Sequence, residues 1–259
     1  NKFIKFFPNL IAICTASTGT NHIDKKLMIK KNISIISLTK EYKVIKKISS
    51  TSELAITFSL MAARNVIEAS SDVLNKKWNY EKFIGRQFNG LKIGVIGYGR
   101  LGKIYVNIML ALGAKIYVFD PYKLVKNKKI IQTKKISELF IKSDIISIHV
   151  HINEETNQMI NHNLLIKARK DLILINTSRG EIINEKDMCN FLKKNKNAKL
   201  FTDVLSDEVN DKFNSLLFKY FKKQKNSQIF ITPHIGGMTI EAQHTAFTHA
   251  AKLLIKFSR

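Results

Sequence analysis

Leu91–Asp120, LKIGVIGYGRLGKIYVNIMLALGAKIYVFD, decides the fold. A short apolar run, Ile93 to Ile96, ends at Gly97-Tyr98-Gly99-Arg100-Leu101-Gly102. Apolar residues then recur at helical spacing (Leu101, Ile104, Tyr105, Ile108, Leu112) before a second apolar run, Ile116 to Phe119. The order strand, glycine turn, helix, strand predicts a βαβ unit.

Each part has a physical task in a dinucleotide site. Gly97 permits the tight turn, Gly99 lets backbone approach a pyrophosphate, and Gly102 lets the helix pack closely on the strand. The N–H groups that open the helix face the phosphates. Asp120 closes the second strand, where a carboxylate accepts hydrogen bonds from the ribose hydroxyls and repels a 2′-phosphate, so NAD is favoured over NADP.

Outward from this unit the pattern repeats. Upstream, Asn1 to Phe7 form a basic, aromatic lead-in, and the strand Leu10 to Cys14 ends in the polar loop Thr15-Ala16-Ser17-Thr18-Gly19-Thr20-Asn21. Such a loop can hold an anion on its N–H groups, but from this segment alone an ordinary turn is the preferred reading. His22-Ile23-Asp24 starts a short helix before the strand Ile33 to Leu38. After a linker through Thr51, one helix is expected over Ser52 to Ser70 with Ser52 as N-cap, followed by a polar loop holding Trp78 and Tyr80.

Downstream, Ser137 caps a helix through Ile141, Asp144 to Val150 is a strand, and a helix covers Asn161 to Ala168. Then come the strand Leu172 to Asn176, the loop Thr177 to Gly180, a helix from Asn184 through Leu192, and the strands Ala198 to Val204 and Ile229 to Thr232. Alternating strands and helices predict an α/β fold with a doubly wound parallel sheet and the cofactor at its C-terminal edge.

Composition excludes some classes. The 259 residues can bury a large core, and 45% hydrophobic content is ordinary for a globular protein. No apolar run is long enough to span a bilayer, which makes the cytoplasm the expected setting. The net charge of +23 is mostly lysine in scattered groups such as Lys126 to Lys129, without an interleaved aromatic platform. It reads as a solvated surface, not as a nucleic-acid or membrane footprint. Cys14 and Cys189 fit no metal-ligand spacing and are expected to be reduced and buried.

Three polar features follow the later strands: Arg179, then Asp203 with Glu208, then His234 in Ile231-Thr232-Pro233-His234-Ile235-Gly236-Gly237. An arginine can grip a carboxylate through paired hydrogen bonds and polarise an adjacent carbonyl. A histidine bonded to a glutamate is oriented and has its charged form favoured, as proton exchange near neutral pH requires. Isolated Arg, Glu and His residues are also common on solvated surfaces, and spacing alone leaves the two readings about even.

The motifs together resemble the D-isomer-specific 2-hydroxyacid dehydrogenase family, including its phosphoglycerate dehydrogenase-like members, over nearly the whole chain. They are Thr18-Gly19-Thr20-Asn21-His22-Ile23-Asp24, GVIGYGRLGK with Asp120-Pro121-Tyr122, SIHV with Glu155-Thr156, INTSRGEIINE, Asp203-Val204 with Glu208, and TPHIGG. The resemblance implies an NAD-dependent oxidoreductase acting on a small D-2-hydroxy or 2-oxo acid, as a homodimer. It implies that Arg179 anchors substrate, His234 is the acid/base and Glu208 its partner. The cofactor would meet Gly97, Tyr98, Gly99, Arg100, Leu101, Gly102, Asp120, Pro121, His149, Thr156, Thr177, Asp203 and Gly236, and substrate would meet Thr18, Gly19, Arg179 and His234. An NAD-sensing corepressor on the same fold is the alternative.

The implied division is a partial substrate domain over 1–49, a Rossmann domain over 50–235, and a return to the substrate domain over 236–259. Two residues depart from the family pattern: His151 stands where a proline is usual, and Met238 where a small residue is usual. The family's first several dozen residues are also absent, so the chain is expected to begin inside the substrate domain.

Overall fold

The polar loop after the first strand and the residues that follow it build a small parallel pair. In the computed structural model, which describes residues 3–20, 22–206, 208–223 and 228–258, β1 (Ala12–Thr15) pairs in parallel with β2 (Ser34–Ser37). Asn1, Lys2 and Asn21 of the predicted lead-in and loop lie outside the described residues. Helix α1 (Lys25–Lys30) makes the crossover, and the Asp24 carboxylate caps it by accepting from the Leu27 N–H at 3.0 Å. Helix α2 (Tyr42–Ile45) follows. By contacts the chain divides into a smaller unit, Asn1–Ser50 with Gly237–Arg259, and a larger one, Thr51–Gly236.

The larger unit opens with a correction. One helix is expected over Ser52 to Ser70, but two form: α3 (Ser50–Ala63) and α4 (Val66–Leu74). Asn65 separates them in the left-handed conformation at φ 55°, one that asparagine tolerates better than most residues. Ser52 is no N-cap; buried within α3, it donates to the Leu101 carbonyl at 2.8 Å and ties this helix to the glycine turn.

The βαβ unit forms as β3 (Lys92–Ile96), α5 (Arg100–Ala111) and β4 (Lys115–Phe119). A strand unforeseen in the sequence, β5 (Ile130–Gln132), extends the edge. Helix α6 (Ile136–Lys142) is capped at Lys135, whose N–H donates to Glu138 at 3.0 Å, two residues earlier than a Ser137 cap would place it. Then come β6 (Ile145–Ile148), α7 (His162–Leu165), β7 (Ile173–Asn176), α8 (Glu185–Lys194), β8 (Lys199–Thr202), α9 (Glu208–Asp211), α10 (Leu216–Lys223) and β9 (Ile229–Ile231). Helix α7 is shorter than the predicted Asn161 to Ala168, with Asn161 as its cap. Helix α10 lies in a stretch where no element is expected.

These strands form one parallel sheet in the order β5-β4-β3-β6-β7-β8-β9. Chain direction across the sheet reverses between β3 and β6, which makes a crevice beyond their C-terminal ends. Strand side chains alternate between two cores. Ile173 and Ile175 of β7 join Ala55 and Phe58 of α3 and Tyr105 and Met109 of α5 on one face, while Leu174 joins Leu139 of α6 and Met188 and Leu192 of α8 on the other. Burial on both faces is why these strands read as continuous apolar runs.

In the smaller unit, α11 (Ile240–Phe257) is capped by the Thr239 hydroxyl and packs Ala246 against Leu38 and Ile45. His249 Nε2 lies 2.7 Å from Glu41 Oε2. Both cysteines are free; Cys189 is buried, but Cys14 is only partly so, with its thiol 3.4 Å from the Ala250 carbonyl. Among the described residues no helix is long and apolar enough to cross a membrane.

Phe58 is fully buried and meets Phe201 and Phe230 edge-on at 5.9 and 5.7 Å. Phe58→Ala is expected to destabilise the larger unit by about 3–5 kcal/mol in urea unfolding, with the slope of the transition unchanged.

Candidate functional site

The loops that follow β3, β4, β6, β7, β8 and β9 all leave the sheet at its C-terminal edge. Gly97 sits at φ 93°, and a Cβ there would lie 2.6 Å from the His149 carbonyl oxygen. Added at Gly102, a Cβ would fall 2.1 Å from the Gly97 oxygen, so helix and turn touch backbone to backbone. At Gly99, the N-cap of α5, the same atom would meet only the Lys123 ammonium, at 3.9 Å. The turn is therefore closed beneath and open above, as a cradle for a diphosphate must be.

The Asp120 carboxylate is oriented by two backbone donors, Tyr98 N–H at 2.8 Å and Tyr122 N–H at 2.9 Å. Pro121 is exposed in the bend that follows. Tyr98 is buried, with the Lys103 ammonium 5.3 Å from its ring centre, and Leu101 lends its carbonyl to Ser52. Arg100 is partly desolvated, which lowers its pKa. Gln132 of the unforeseen strand braces the Asp120 loop, accepting from Val125 N–H at 2.9 Å and donating to the Lys123 and Asp120 carbonyls at 2.7 and 3.2 Å.

After β6, burial pushes the His149 imidazole down to about 3; its Nε2 lies 2.9 Å from the Ser147 hydroxyl and its ring rests on Tyr105. Desolvation, with the charges of Arg179 and Arg100, also holds His151 below the ordinary histidine value. Thr156 knots its own loop, donating to the His151 carbonyl at 2.7 Å and accepting from the Asn153 N–H at 2.8 Å. Tyr122 donates from its hydroxyl to Glu155, joining the loops after β4 and β6. After β7, Thr177 is buried and its hydroxyl has no hydrogen-bond partner among the described residues. An unmet buried hydroxyl at a sheet edge is a place where a ligand group fits.

The acid/base candidates come together in the larger unit. His234 Nδ1 lies 2.6 Å from Glu208 Oε2, while Glu208 Oε1 accepts from the Leu205 N–H at 2.6 Å. His234 adopts φ 56° and is held by N–H donation to the Asp203 and Thr232 carbonyls. The bond to Glu208 raises the His234 pKa, against desolvation and the charge of Arg179. Desolvation acts upward on Glu208, but its hydrogen bonds and the charges of His234 and Arg179 bring the carboxyl below its ordinary value.

The shared bond has two pH limits. Its contribution through His234 is complete below about 6.5 and is lost as pH rises through the raised folded value. Its contribution through Glu208 is present above about 4.3 and is lost as pH falls through the lowered one.

Asp203 is almost wholly buried and organises the turn carrying His234. Its Oδ1 accepts from the Thr232 hydroxyl at 2.5 Å and the Ile235 N–H at 2.8 Å, and its Oδ2 accepts from the Gly236 N–H at 2.7 Å. Burial nevertheless lifts its pKa, against these donors and the charge of His234. Arg179 leaves β7 through Gly180, and a Cβ at Gly180 would overlap the Leu205 carbonyl carbon at 2.0 Å. That close packing brings the arginine loop to the segment bearing Glu208. Thr18 and Gly19 belong to the smaller unit, where Thr39 donates to the Thr18 carbonyl at 2.9 Å and Ser17 to the Gly19 carbonyl at 2.5 Å.

Residues 56–236 match the family model of the D-isomer specific 2-hydroxyacid dehydrogenase, NAD binding domain. The chain belongs to this family. A D-3-phosphoglycerate dehydrogenase of Haemophilus influenzae is 28% identical over 260 residues, which is 99% of this chain and 61% of that protein. The hydroxypyruvate reductase of Thermotoga maritima is 30% identical over 240 residues, covering 91% of this chain and 73% of the relative. The structure of an Aquifex aeolicus D-lactate dehydrogenase, complexed with NAD and lactic acid, superposes with a TM-score of 0.83 at 26% identity, covering all of this chain and 79% of that one. The chain therefore spans less than two thirds of the phosphoglycerate dehydrogenase it matches.

Within this family domain, Lys123, Gln132 and Glu185 are polar features that motif reading passes over. Lys123 had a legible signal, a cation three residues beyond Asp120. Gln132 and Glu185 act on backbone groups, which leave no signature in sequence. Gly180→Ala is expected to destabilise the larger unit by about 1–3 kcal/mol in thermal or urea unfolding, because the backbone it abuts must move.

Proposed function

We propose that this chain carries the catalytic centre of an NAD-dependent dehydrogenase that interconverts a small D-2-hydroxy acid and its 2-oxo acid. The observation that carries the reading is the 2.6 Å bond between His234 and Glu208, within reach of the Arg179 charge and at the C-terminal edge of the sheet in an NAD-binding domain. The relatives named for phosphoglycerate, hydroxypyruvate and lactate support the substrate class.

The residues present fit the dinucleotide. The open face at Gly99 suits the diphosphate, the fixed carboxylate of Asp120 suits ribose hydroxyls, and the unmet Thr177 hydroxyl offers a polar contact. Gly97, Tyr98, Arg100, Leu101, Gly102, Pro121, His149, Thr156, Asp203 and Gly236 complete the assigned surround. When bound, the dinucleotide supplies or accepts the hydride.

His234 holds the proton. With Nδ1 engaged by Glu208, its Nε2 is the atom that gives a proton to the substrate oxygen in reduction and takes one in oxidation. Glu208 keeps the ring turned and stabilises the imidazolium. Arg179 binds the carboxylate and steadies negative charge developing on the adjacent oxygen. We assign Thr18 and Gly19 to carboxylate binding through backbone N–H groups, on the family resemblance.

A cytoplasmic setting agrees with the free Cys14 and Cys189. A homodimer through the larger unit is supported by Leu74, Trp78, Tyr80 and Ile84, large apolar side chains within eleven residues that are each about four-fifths exposed.

The test is NADH oxidation against a panel of 2-oxo acids, on this chain and on a longer form that spans the relatives' full length. His234→Ala is expected to lower turnover on the order of 10²–10⁴-fold with NADH affinity kept. Arg179→Ala should lower turnover on the order of 10²–10³-fold and weaken 2-oxo acid binding as well. Reduction should hold its rate on the acid side of the raised His234 value and fall as pH rises through it, while oxidation rises through the same limb. Tight NADH binding with no turnover in the longer form would favour the corepressor-like sensor instead.

A second prediction isolates the cofactor contact. Thr177→Val removes a buried hydroxyl that has no partner among the described residues, so stability should hold or rise by about 1 kcal/mol while NADH affinity falls. Equal affinity in a fluorescence titration would remove Thr177 from the site.

A further inference from the structure

Glu185 opens α8 on the far side of the loop that carries Glu208, and its carboxylate gathers four donors. Oε1 accepts from the Ser206 N–H at 3.1 Å and the Ser215 hydroxyl at 2.8 Å. Oε2 accepts from the Leu216 N–H at 2.7 Å and the Leu217 N–H at 3.4 Å, at the start of α10. These donors lie on both sides of Glu208 in sequence: one two residues before it, the others seven to nine residues after.

The near side of this clasp leads straight to the acid/base pair. Leu205 N–H donates to Glu208 Oε1, and the next amide, Ser206 N–H, donates to Glu185. Gly180 presses on the same Leu205-Ser206 peptide from the Arg179 loop. Two successive peptide units are thus engaged: the one ending in the Leu205 N–H is bonded to the glutamate that orients His234, and the next, Leu205-Ser206, is held by Glu185 and abutted by the Arg179 loop.

We propose that Glu185 is a positioning residue for the Glu208–His234 pair: by fastening both ends of the segment that bears Glu208, it keeps that carboxylate on His234 Nδ1. The proposal rests on the acid/base reading above and adds to it a residue that touches neither substrate nor cofactor. A carboxylate suits the task. It accepts from several amides at once and is favoured at the first turn of α10, where N–H groups lack helical partners. Around His234 the charged neighbours are Glu208, Arg179 and Asp203, and around Glu185 the titratable neighbour is Cys189, whose buried thiol donates to the Leu216 carbonyl at 3.6 Å. Loss of the clasp leaves these other groups in the chain and frees the Glu208 segment.

The test reads the proton affinity of His234 in the cofactor-free protein, by NMR titration of labelled imidazoles assigned with His234→Gln. Glu208→Gln is expected to weaken that affinity roughly tenfold, toward the ordinary value near 6.5. Glu185→Ala should weaken it similarly, and Glu185→Gln by less, because its one carboxamide oxygen still accepts from two donors. Glu185→Ala added to Glu208→Gln should change nothing further. Should Glu185→Ala fold poorly, Glu185→Gln carries the test. A His234 titration unmoved by both Glu185 variants, while Glu208→Gln shifts it, would overturn the proposal and leave the pair intact. If Glu208→Gln leaves the titration in place, the pair itself fails and the role of Glu185 with it.

Discussion

A single buried carboxylate shapes the edge of the sheet where the candidate chemistry lies. Asp203 follows β8 directly with almost no exposure, and burial alone makes a charge there costly. Three donors from the turn after β9 offset that cost: the Thr232 hydroxyl and the N–H groups of Ile235 and Gly236. The same turn holds His234 in a left-handed conformation that an L-residue rarely adopts. The strain at His234 and the desolvation of Asp203 are answered by one set of bonds, so neither feature stands without the other. Gly236 is required by the same packing, since a Cβ would reach 3.0 Å from the Asp203 carboxylate.

From that anchored turn the site extends by contact between backbones. Gly180 touches Leu205, Gly102 touches Gly97, and Gly97 touches the His149 carbonyl. Two of these contacts join loops from different strands without an intervening side chain, and the other closes the turn after β3 against its own helix. Rigid backbone contacts suit a site whose reacting groups must be held within a fraction of an ångström. Charges are then placed against one another: Glu208 draws a proton toward His234 while Arg179 opposes it. The two act in opposite directions on the proton affinity of the imidazole, with the bond to Glu208 the larger effect.

Much of this architecture is legible in the sequence because burial on both faces leaves β3, β6, β7 and β8 as unbroken apolar runs. What escapes has identifiable causes. The break between α3 and α4 falls at Asn65, inside a segment whose apolar spacing continues past it. Strand β5 offers only two apolar residues among lysines, a composition typical of a protected sheet edge. Helix α10 buries Leu217 and Tyr220 but mixes them with lysines that mask its period. At the site, motif spacing sets Arg179, Asp203, Glu208 and His234 after successive strands, yet the 2.6 Å bond depends on the left-handed turn and on the packing at Gly180. Glu185 is invisible in advance because three of its four donors are amides that every residue possesses.

Three imidazoles lie along this edge, and their surroundings treat them in opposite ways. His149, on Tyr105, is pushed so low that it remains uncharged throughout the physiological range, and His151 is also driven toward neutrality. His234 alone of the three is drawn upward. The rim therefore pushes two imidazoles toward their neutral form and one toward its charged form, so rings of one chemical type offer different hydrogen-bonding faces to whatever is bound.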